Sequence, residues 1–529
     1  MLPDVTSCLG TRAYRSLQEI LTMNNNHTRF TSIKLTVSAV ILSSCITVPS
    51  IKAAEFSIHS KPNVLMIAVD DLNDWIGCMG GHPQAITPNI DRLAKEGVVF
   101  LNNHCQAPIC GPSRASLMTG LYPSTTGIYL QIKDANIKKA NPASARSVFL
   151  PDWFEQNGYK TMGAGKIYHQ GDKAKTFDEF SGGSNFGPKP KKRMKWPAKG
   201  FPPGTATDWG VFPERDAQMP DFKTAAYGVE KLKEKHDKPF FLAVGFMRPH
   251  VPWYVPQKWF DLYPIEQIQT PAYLPGDMDD IPGMGRRVAE VPMMPTTKWA
   301  IKAGEWQNIV QAYLACTTFA DAQVGKVLDA LRASEYASNT IVVLWADHGY
   351  HLGEKNRFAK QALWERDTRT VLIFKAPIAK SGGRCYAPTE LLDIYPTLLD
   401  LCGLLPNPQV EGDSLVPLLK NTDTEWNKIA VTSYGVGNVS LRDCTHRYIV
   451  YEDGSEELYD MVKDPNEWTN IAGNPEYSGI IAHFKKAVPK TQASLSNVSI
   501  YKINDYWRAR VPKNGSSAES VGQDVLLCL

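Results

Sequence analysis

The sequence predicts an α/β fold: a large, mostly parallel sheet sandwiched by helices, followed by a smaller C-terminal α+β subdomain. Three observations point there. Residues 64–69, 239–246 and 340–345 are apolar runs without the alternation of a half-exposed strand, as expected of parallel strands covered on both faces. Helical patterns separate them, the longest over residues 305–331, where Ile309, Ala312, Tyr313, Phe319, Val324 and Leu328 make one stripe. Each apolar run then stops in polar chemistry: Asp70-Asp71, Arg248-Pro249-His250, and Asp347-His348. Strands of an open parallel sheet present their carboxyl ends along one edge, where sites are built.

At 529 residues the chain exceeds one ordinary core. We divide it into an amino-terminal extension with an export signal (1–54), a main domain (61–425), a subdomain with a small antiparallel sheet (426–515) and a tail (516–529). Net charge is +3, too small to argue for nucleic-acid binding. No stretch after the first fifty residues is long and apolar enough for a membrane span. Arg29 and Lys34 precede an apolar run at 35–42 and then small residues, the pattern of a secretory signal cleaved near Ala53 or Ala54. Met23 makes a more ordinary start for such a signal than Met1. Leu42-Ser43-Ser44-Cys45 also fits a bacterial lipobox, which would anchor the chain through Cys45; plain export, periplasmic or secreted, is the preferred reading. The ten cysteines contain no CxxC pair, which argues against a zinc site or disulfide framework. Cys385–Cys402 and Cys78–Cys105 are the pairs an exported chain could join.

In chain order, Thr87 can cap a helix that starts at Pro88 and ends at Gly97. A short strand at 98–100 follows. Residues 151–157 read as a helix and 159–162 as a strand that runs into a glycine turn. Residues 181–220 are rich in Gly, Pro and Lys; the cluster Lys189, Lys191, Lys192, Arg193 and Lys195 is a solvated loop or a rim that attracts a polyanion. Residues 264–295 form a proline-rich insertion with no helical period. A strand at 371–374 precedes a helix at 394–401, with Asp393 as its cap. Short strands at 429–434 and 447–452 lead to a turn at Asp453-Gly454 and then to helical patterns.

The stretch Cys110-Gly111-Pro112-Ser113-Arg114-Ala115-Ser116-Leu117-Met118-Thr119-Gly120 organises the rest. Pro112 suits a first helical turn, which would put Cys110 at a helix N-terminus, where negative charge is favoured. With Asp70, Asp71 and Asp347, the imidazoles of His169, His250 and His348, Lys166 and Arg114, the strand ends could hold a hard cation and bind a tetrahedral oxyanion.

This stretch resembles the signature of the type I sulfatases, Cys-x-Pro-Ser-Arg-x-x-Leu-x-Thr-Gly. Gly158-Tyr159-Lys160-Thr161-Met162-Gly163-Ala164-Gly165-Lys166-Ile167-Tyr168-His169 resembles their second signature. The likeness runs from about residue 61 to about 475. Gly-Lys-Ile-Tyr-His-Gln-Gly, Phe-Met-Arg-Pro-His-Val-Pro and Asp-His-Gly-Tyr-His-Leu-Gly-Glu are most similar to the iduronate-2-sulfatase branch and its bacterial relatives. The resemblance implies an alkaline phosphatase-like fold and a sulfuric ester hydrolase. It implies that a maturing enzyme oxidises Cys110 to formylglycine. It implies that Asp70, Asp71, Asp347, His348 and the modified Cys110 bind one calcium ion. His348 stands where many sulfatases have Asn, though this branch carries His there.

The mechanism so implied starts from the hydrated aldehyde at position 110, whose hydroxyl attacks sulfur. Arg114 and Lys166 stabilise the hydrate; Lys166, His250 and Lys360 hold sulfate oxygens. His250 protonates the leaving alcohol, and His169 takes a proton as sulfate is expelled. Trp253 offers a face on which a sugar could stack. The expected substrate is a sulfated carbohydrate, a 2-sulfated uronic acid of a glycosaminoglycan or algal polysaccharide. A phosphodiesterase or phosphonate hydrolase of the same superfamily, and a non-catalytic binder of sulfated glycans, are the alternatives.

Overall fold

Six fully buried apolar residues, preceded by the buried Asn63, form β1 (Asn63–Val69) at the middle of the main sheet. The structure is a computed structural model that describes residues 61–200 and 205–500. The export signal, Cys45, the proposed start at Met23 and the tail from 516 lie outside the described residues. Around β1 stand β2 (Val98–Phe100), β3 (Lys160–Gly165), β4 (Glu179–Ser181), β5 (Phe240–Phe246), β6 (Thr340–Ala346), β7 (Leu372–Lys375) and β8 (Gly383–Cys385). Their order is β8-β2-β7-β6-β1-β5-β3-β4. β7 runs antiparallel to β2 and β6; the other pairs are parallel. Ile67 of β1 pairs with Val244 on one side and Leu344 on the other, and Val69 with Phe246 and Ala346. Asp70 and Asp347 therefore leave the sheet at the same level, with Met247 beside them.

Alternate residues of β1 point to opposite faces, and two cores result. Leu65, Ile67 and Val69 pack with α1 (Pro88–Glu96), α4 (Pro220–Lys233) and α6 (Trp306–Arg332). Val64, Met66 and Ala68 pack with α2 (Cys110–Thr119), α3 (Leu150–Gln156) and α7 (Ile394–Leu401). Each fully buried Val, Leu or Ile in these layers contributes about 1.5–3 kcal/mol. No described helix is long and apolar enough to cross a membrane.

Several local expectations are corrected. Thr87 precedes α1 but makes no cap with its side chain. Asp321 of α6 does that from across the face, accepting from the backbone N–H of Asn89 and Ile90 at 3.1 and 2.8 Å. Asp393 likewise does not cap α7; its carboxylate accepts from the Glu390 and Asp413 N–H groups. The insertion at 264–295 does contain a helix, α5 (Gly283–Ala289), too short for its period to register in the sequence. Neither disulfide forms: no bond joins Cys78 to Cys105 or Cys385 to Cys402.

The C-terminal subdomain is a meander of β9 (Ala430–Ser433), β10 (Val439–Arg442), β11 (His446–Val450) and β12 (Glu456–Asp460), antiparallel throughout. Helix α8 (Ser478–Ala487) closes it, with Phe484 stacked 5.8 Å from Tyr448. Strand β10 was not foreseen, because Val-Ser-Leu-Arg carries little β signal on its own. The chain then returns to the main domain, where Ala493, Ser496 and Ile500 donate N–H bonds to Ser124, Gly127 and Gln131.

Candidate active site

The site begins with two short connections. At the end of β1 the chain turns through Asp71, whose φ of 58° is in the left-handed region, and its N–H donates to Asp347 Oδ1 at 3.2 Å. At the end of β3, Gly165 has φ 77°, and a Cβ there would meet Gly245 O at 2.1 Å. A Cβ on Gly245 would meet the Lys166 carbonyl at 2.2 Å. These facing glycines let two strand ends approach so that Lys166 turns inward. Its ammonium pairs with Asp70 Oδ2.

Cys110 opens α2 as expected, and every residue of that helix is buried. The Gln131 side chain accepts from Gly111 N–H at 3.0 Å. Arg114, fully buried, ties the edges together. Its Nε donates to Asp347 Oδ2 at 2.8 Å, one Nη to Asp70 Oδ1 at 3.1 Å, and the other to the carbonyls of Lys166 and Ile167 at 2.5 and 2.9 Å. Ser113 Oγ donates to the Asp347 carbonyl at 2.5 Å. Residues three and four positions beyond Cys110 thus lock the helix to β6 and β3. A buried Arg shared by two carboxylates is costly to break, about 3–5 kcal/mol.

Lys360 Nζ lies 2.7 Å from Asp71 Oδ1 and 2.9 Å from Cys110 Sγ. His348 Nε2 lies 3.3 Å from the same sulfur and 3.3 Å from Asp71 Oδ1. His250 Nε2 is 3.9 Å from both Asp70 Oδ2 and Asp71 Oδ2, and its Nδ1 faces Val251 O at 2.7 Å. All of these groups are buried. Burial opposes ionisation of the Cys110 thiol, as does Asp70, yet Lys166 and Lys360 outweigh both and hold it below its usual value. Burial pushes the Asp71 carboxyl up to about 7 against the pull of Lys360. Burial alone would keep His348 neutral, but Asp347 and Cys110 bring it up to about 9. Burial, with Lys360 and Lys166, holds His250 well below the ordinary imidazole value.

The donor set fits a hard divalent cation. One ligand atom each from Asp70, Cys110, Asp347 and His348 lies within 4.8 Å of the others, and so for Asp70, Asp71, Cys110 and His250. Asp71 Oδ2 is buried with no hydrogen-bond partner, and three carboxylates meet where mutual repulsion asks for positive charge.

His169 stands slightly apart. It is half-buried, its Nδ1 has no partner, and Ser184 Oγ donates to its carbonyl. Burial and Lys166 push its pKa down to about 4. Trp253 corrects our expectation. It is fully buried, donates Nε1–H to Pro249 O at 2.7 Å and packs edge-on against Tyr313 and Tyr350, so it offers no face to a sugar. The ring beside His250 is Phe186, 5.4 Å away. Lys189 lies over that ring at 5.6 Å, which brings the basic stretch next to the site.

The sequence did not expose the groups that hold these residues. Asp221 of α4 accepts from the N–H groups of Met247 and Arg248, and the Arg248 guanidinium donates to the carbonyls of His250, Tyr254 and Phe186. Asp367 accepts from Ala362 N–H at 2.7 Å and pairs with His351 at 2.6 Å, behind Lys360. Asp221 stands 26 positions before Met247, whereas Asp367 is only five beyond Ala362. Asp221 stands in the first turn of α4, where an acidic residue is ordinary helix-start chemistry and gives no signal of this role.

A parallel sheet with a buried cysteine, paired lysines and a cation-ready carboxylate cluster at its carboxyl edge defines a hydrolase of oxyanion esters. The sulfatase family profile matches residues 62–404, and the N-sulphoglucosamine sulphohydrolase C-terminal profile matches residues 353–494. A sulfatase of Formosa agariphila is 49% identical over 84% of this chain and 90% of its own length. The iduronate 2-sulfatase of Mus musculus is 28% identical over 85% of this chain and 97% of its own. A solved 2-O GAG sulfatase superposes with a TM-score of 0.61 at 24% identity, covering 81% and 91% of the two chains. The chain belongs to the sulfatase family, and its fold is the alkaline phosphatase-like one of that family.

Proposed function

We propose that this sulfatase removes the 2-sulfate from a uronic acid of a sulfated carbohydrate, outside the cytoplasm. The observation that carries the reading is the surrounding of Cys110. Its sulfur sits between Lys360 and His348 at a buried helix N-terminus, with Lys166 and His250 across the two aspartates. Oxidised to formylglycine by a maturing enzyme and hydrated, residue 110 would supply the oxygen nucleophile, made more acidic by a calcium ion held by Asp70, Asp71, Asp347 and His348.

The remaining work falls to the chain's own groups. Lys166 and Lys360 place two positive charges on either side of position 110, where a sulfate anion is bound and its growing charge is offset. The Val251 carbonyl accepts from His250 Nδ1 and so directs Nε2 inward. A bound sulfate offsets the two lysines and favours the imidazolium, which can donate from Nε2 to the departing ester oxygen. His169 is neutral at pH 7, with an open Nδ1 ready to take a proton when sulfate leaves. Arg114 gives N–H donors to four protein acceptors and so positions Asp70 and Asp347.

Support for a glycan comes from the basic stretch beside Phe186 and from relatives whose names specify 2-sulfated or glycosaminoglycan substrates. The test is sulfate release by the matured protein from a 2-sulfated uronate disaccharide, an aryl sulfate and a phosphate diester, at low and high salt. We expect the disaccharide to be preferred, with kcat/KM falling as salt rises. Preference for the aryl sulfate without salt dependence contradicts the glycan assignment; preference for the phosphate diester contradicts sulfate ester chemistry.

A further inference from the structure

Helix α5, the unforeseen helix of the insertion, forms one wall of a cavity of about 600 Å³. Arg286 and Arg287 of α5, Arg357, and Met294 are among its lining residues. A narrow void of about 10 Å³ touches Asp71 and Lys360 and reaches Val291, Met294 and Ala359. Those last three residues line the large cavity too, so only this narrow void separates it from Asp71 and Lys360. Arg357 strengthens the link, since its guanidinium donates to the Lys360 carbonyl at 2.5 Å.

The cavity is basic and built on a fixed wall. Glu290 is the acidic residue of its lining, against three guanidinium groups and Lys355. Lys355 is already engaged by Asp277 at 2.7 Å. Arg286 and Arg287 are exposed, and no ion pair joins either to a carboxylate among the described residues. On the other side of α5, Met284, Val288 and Ala289 are buried with Tyr451 and Tyr459 of the C-terminal subdomain. A Cβ on Gly285 would meet Glu457 Oε1 at 2.7 Å and Tyr451 Oη at 2.8 Å. A side chain there would have to displace both groups, so the helix packs closely against the subdomain with its two arginines toward the cavity.

We propose that this cavity is a specificity subsite for a second anionic group of the substrate, a carboxylate or a further sulfate ester, bound by Arg286 and Arg287. A guanidinium presents paired N–H donors that match either planar carboxylate or sulfate oxygens. One sugar ester then sits at Cys110 while the second anion lies one cavity away. The inference rests on the sulfated-carbohydrate reading above and adds a reason why a multiply charged sugar is selected over a simple sulfate ester.

The test compares wild type with the Arg286→Gln, Arg287→Gln double variant. Both residues are exposed, and matching melting temperatures establish that the fold is kept. The substrates are an aryl monosulfate, a 2-sulfated uronate disaccharide, its carboxyl-reduced counterpart, and a carboxyl-reduced disaccharide with a second sulfate. The ratio of kcat/KM on the uronate disaccharide to that on the aryl sulfate is expected to fall at least about ten-fold in the variant. If the carboxylate is the recognised group, wild type already loses that preference on the carboxyl-reduced compound. If the second sulfate is recognised, the reduced disulfated compound keeps it. A ratio unchanged by the double substitution overturns the subsite. Calorimetric binding of the disulfated disaccharide separates the two readings. Binding that weakens in the variant, in a protein that cleaves none of the esters, supports the subsite and removes the hydrolase assignment. Sulfate release insensitive to the arginines does the reverse.

Discussion

At the residue scale, Cys110 was legible because its neighbours each carry a separate task. The structure gives those tasks: Ser113 and Arg114 bind β6 and β3, and Gln131 holds Gly111. Trp253 shows the opposite case. An aromatic next to a site histidine reads the same whether it faces solvent or core, and only the packing against Tyr313 and Tyr350 decides. Arg114→Met should leave Asp347 buried without its guanidinium partner and Asp70 with Lys166 alone. We expect a loss of about 3–5 kcal/mol in stability, read by denaturant unfolding, together with loss of sulfate release. The cation site makes a second prediction. Calcium at about a hundred times its dissociation constant should stabilise the protein by roughly 2.7 kcal/mol. In Asp71→Asn, where the carboxylate that carries the unpartnered Oδ2 is gone, that gain should shrink to a small fraction. An equal calcium-induced rise in melting temperature in both proteins would refute the assigned ligands.

At the element scale, the central strands were readable because long apolar runs have no other soluble use, and their ends fell within one residue of expectation. What escaped was decided by distant contacts. The cap of α1 comes from Asp321 on α6, 232 positions from Asn89, and no local pattern could announce it. Asp321→Ala removes the acceptor of one buried and one half-buried N–H group and should cost about 1–3 kcal/mol, seen as a melting temperature several degrees lower. The segment before α7 supplies a pH-dependent test. Burial pushes Glu390 up to about 7, against bonds from Tyr122, Val431 and Gln106, while burial and Glu390 raise Asp393 too. A carboxyl whose folded pKa is raised holds its proton more tightly when folded. Its contribution is therefore complete below the unfolded value of about 4.3 and is lost as pH rises through about 7. Glu390→Gln should gain stability relative to wild type between pH 5 and 8. A difference that stays flat over that range would show that Glu390 is ionised throughout.

At the scale of the whole molecule, the passage from the mostly parallel main sheet to the antiparallel meander that begins at Ala430 is a change of architecture. It does not mark a gap in the packing. Glu365 pairs with Arg442 and Arg447, Arg447 Nε lies 3.0 Å from Glu467, and Trp364 Nε1 donates to Glu457 at 2.8 Å. These buried contacts stand on the segment that follows Lys360, so the subdomain braces the site. The returning segment at 493–500 adds backbone bonds to the main domain. A single unfolding transition is expected in calorimetry, and two resolved transitions would contradict this coupling. Composition and motifs could identify the two parts; the ionic seam between them is visible only once the chain is folded.

The central claim is that position 110 becomes the nucleophile of a sulfate ester hydrolase. It is tested most directly by the mass of the peptide containing residue 110, from protein produced together with a maturing enzyme, alongside sulfate release by the same sample. Conversion of thiol to aldehyde lowers that mass by about 18 Da. We predict that sulfate release rises in proportion to the converted fraction and is absent in Cys110→Ala. Full activity with an unmodified thiol, or a converted residue with no activity toward any sulfate ester, would contradict the account.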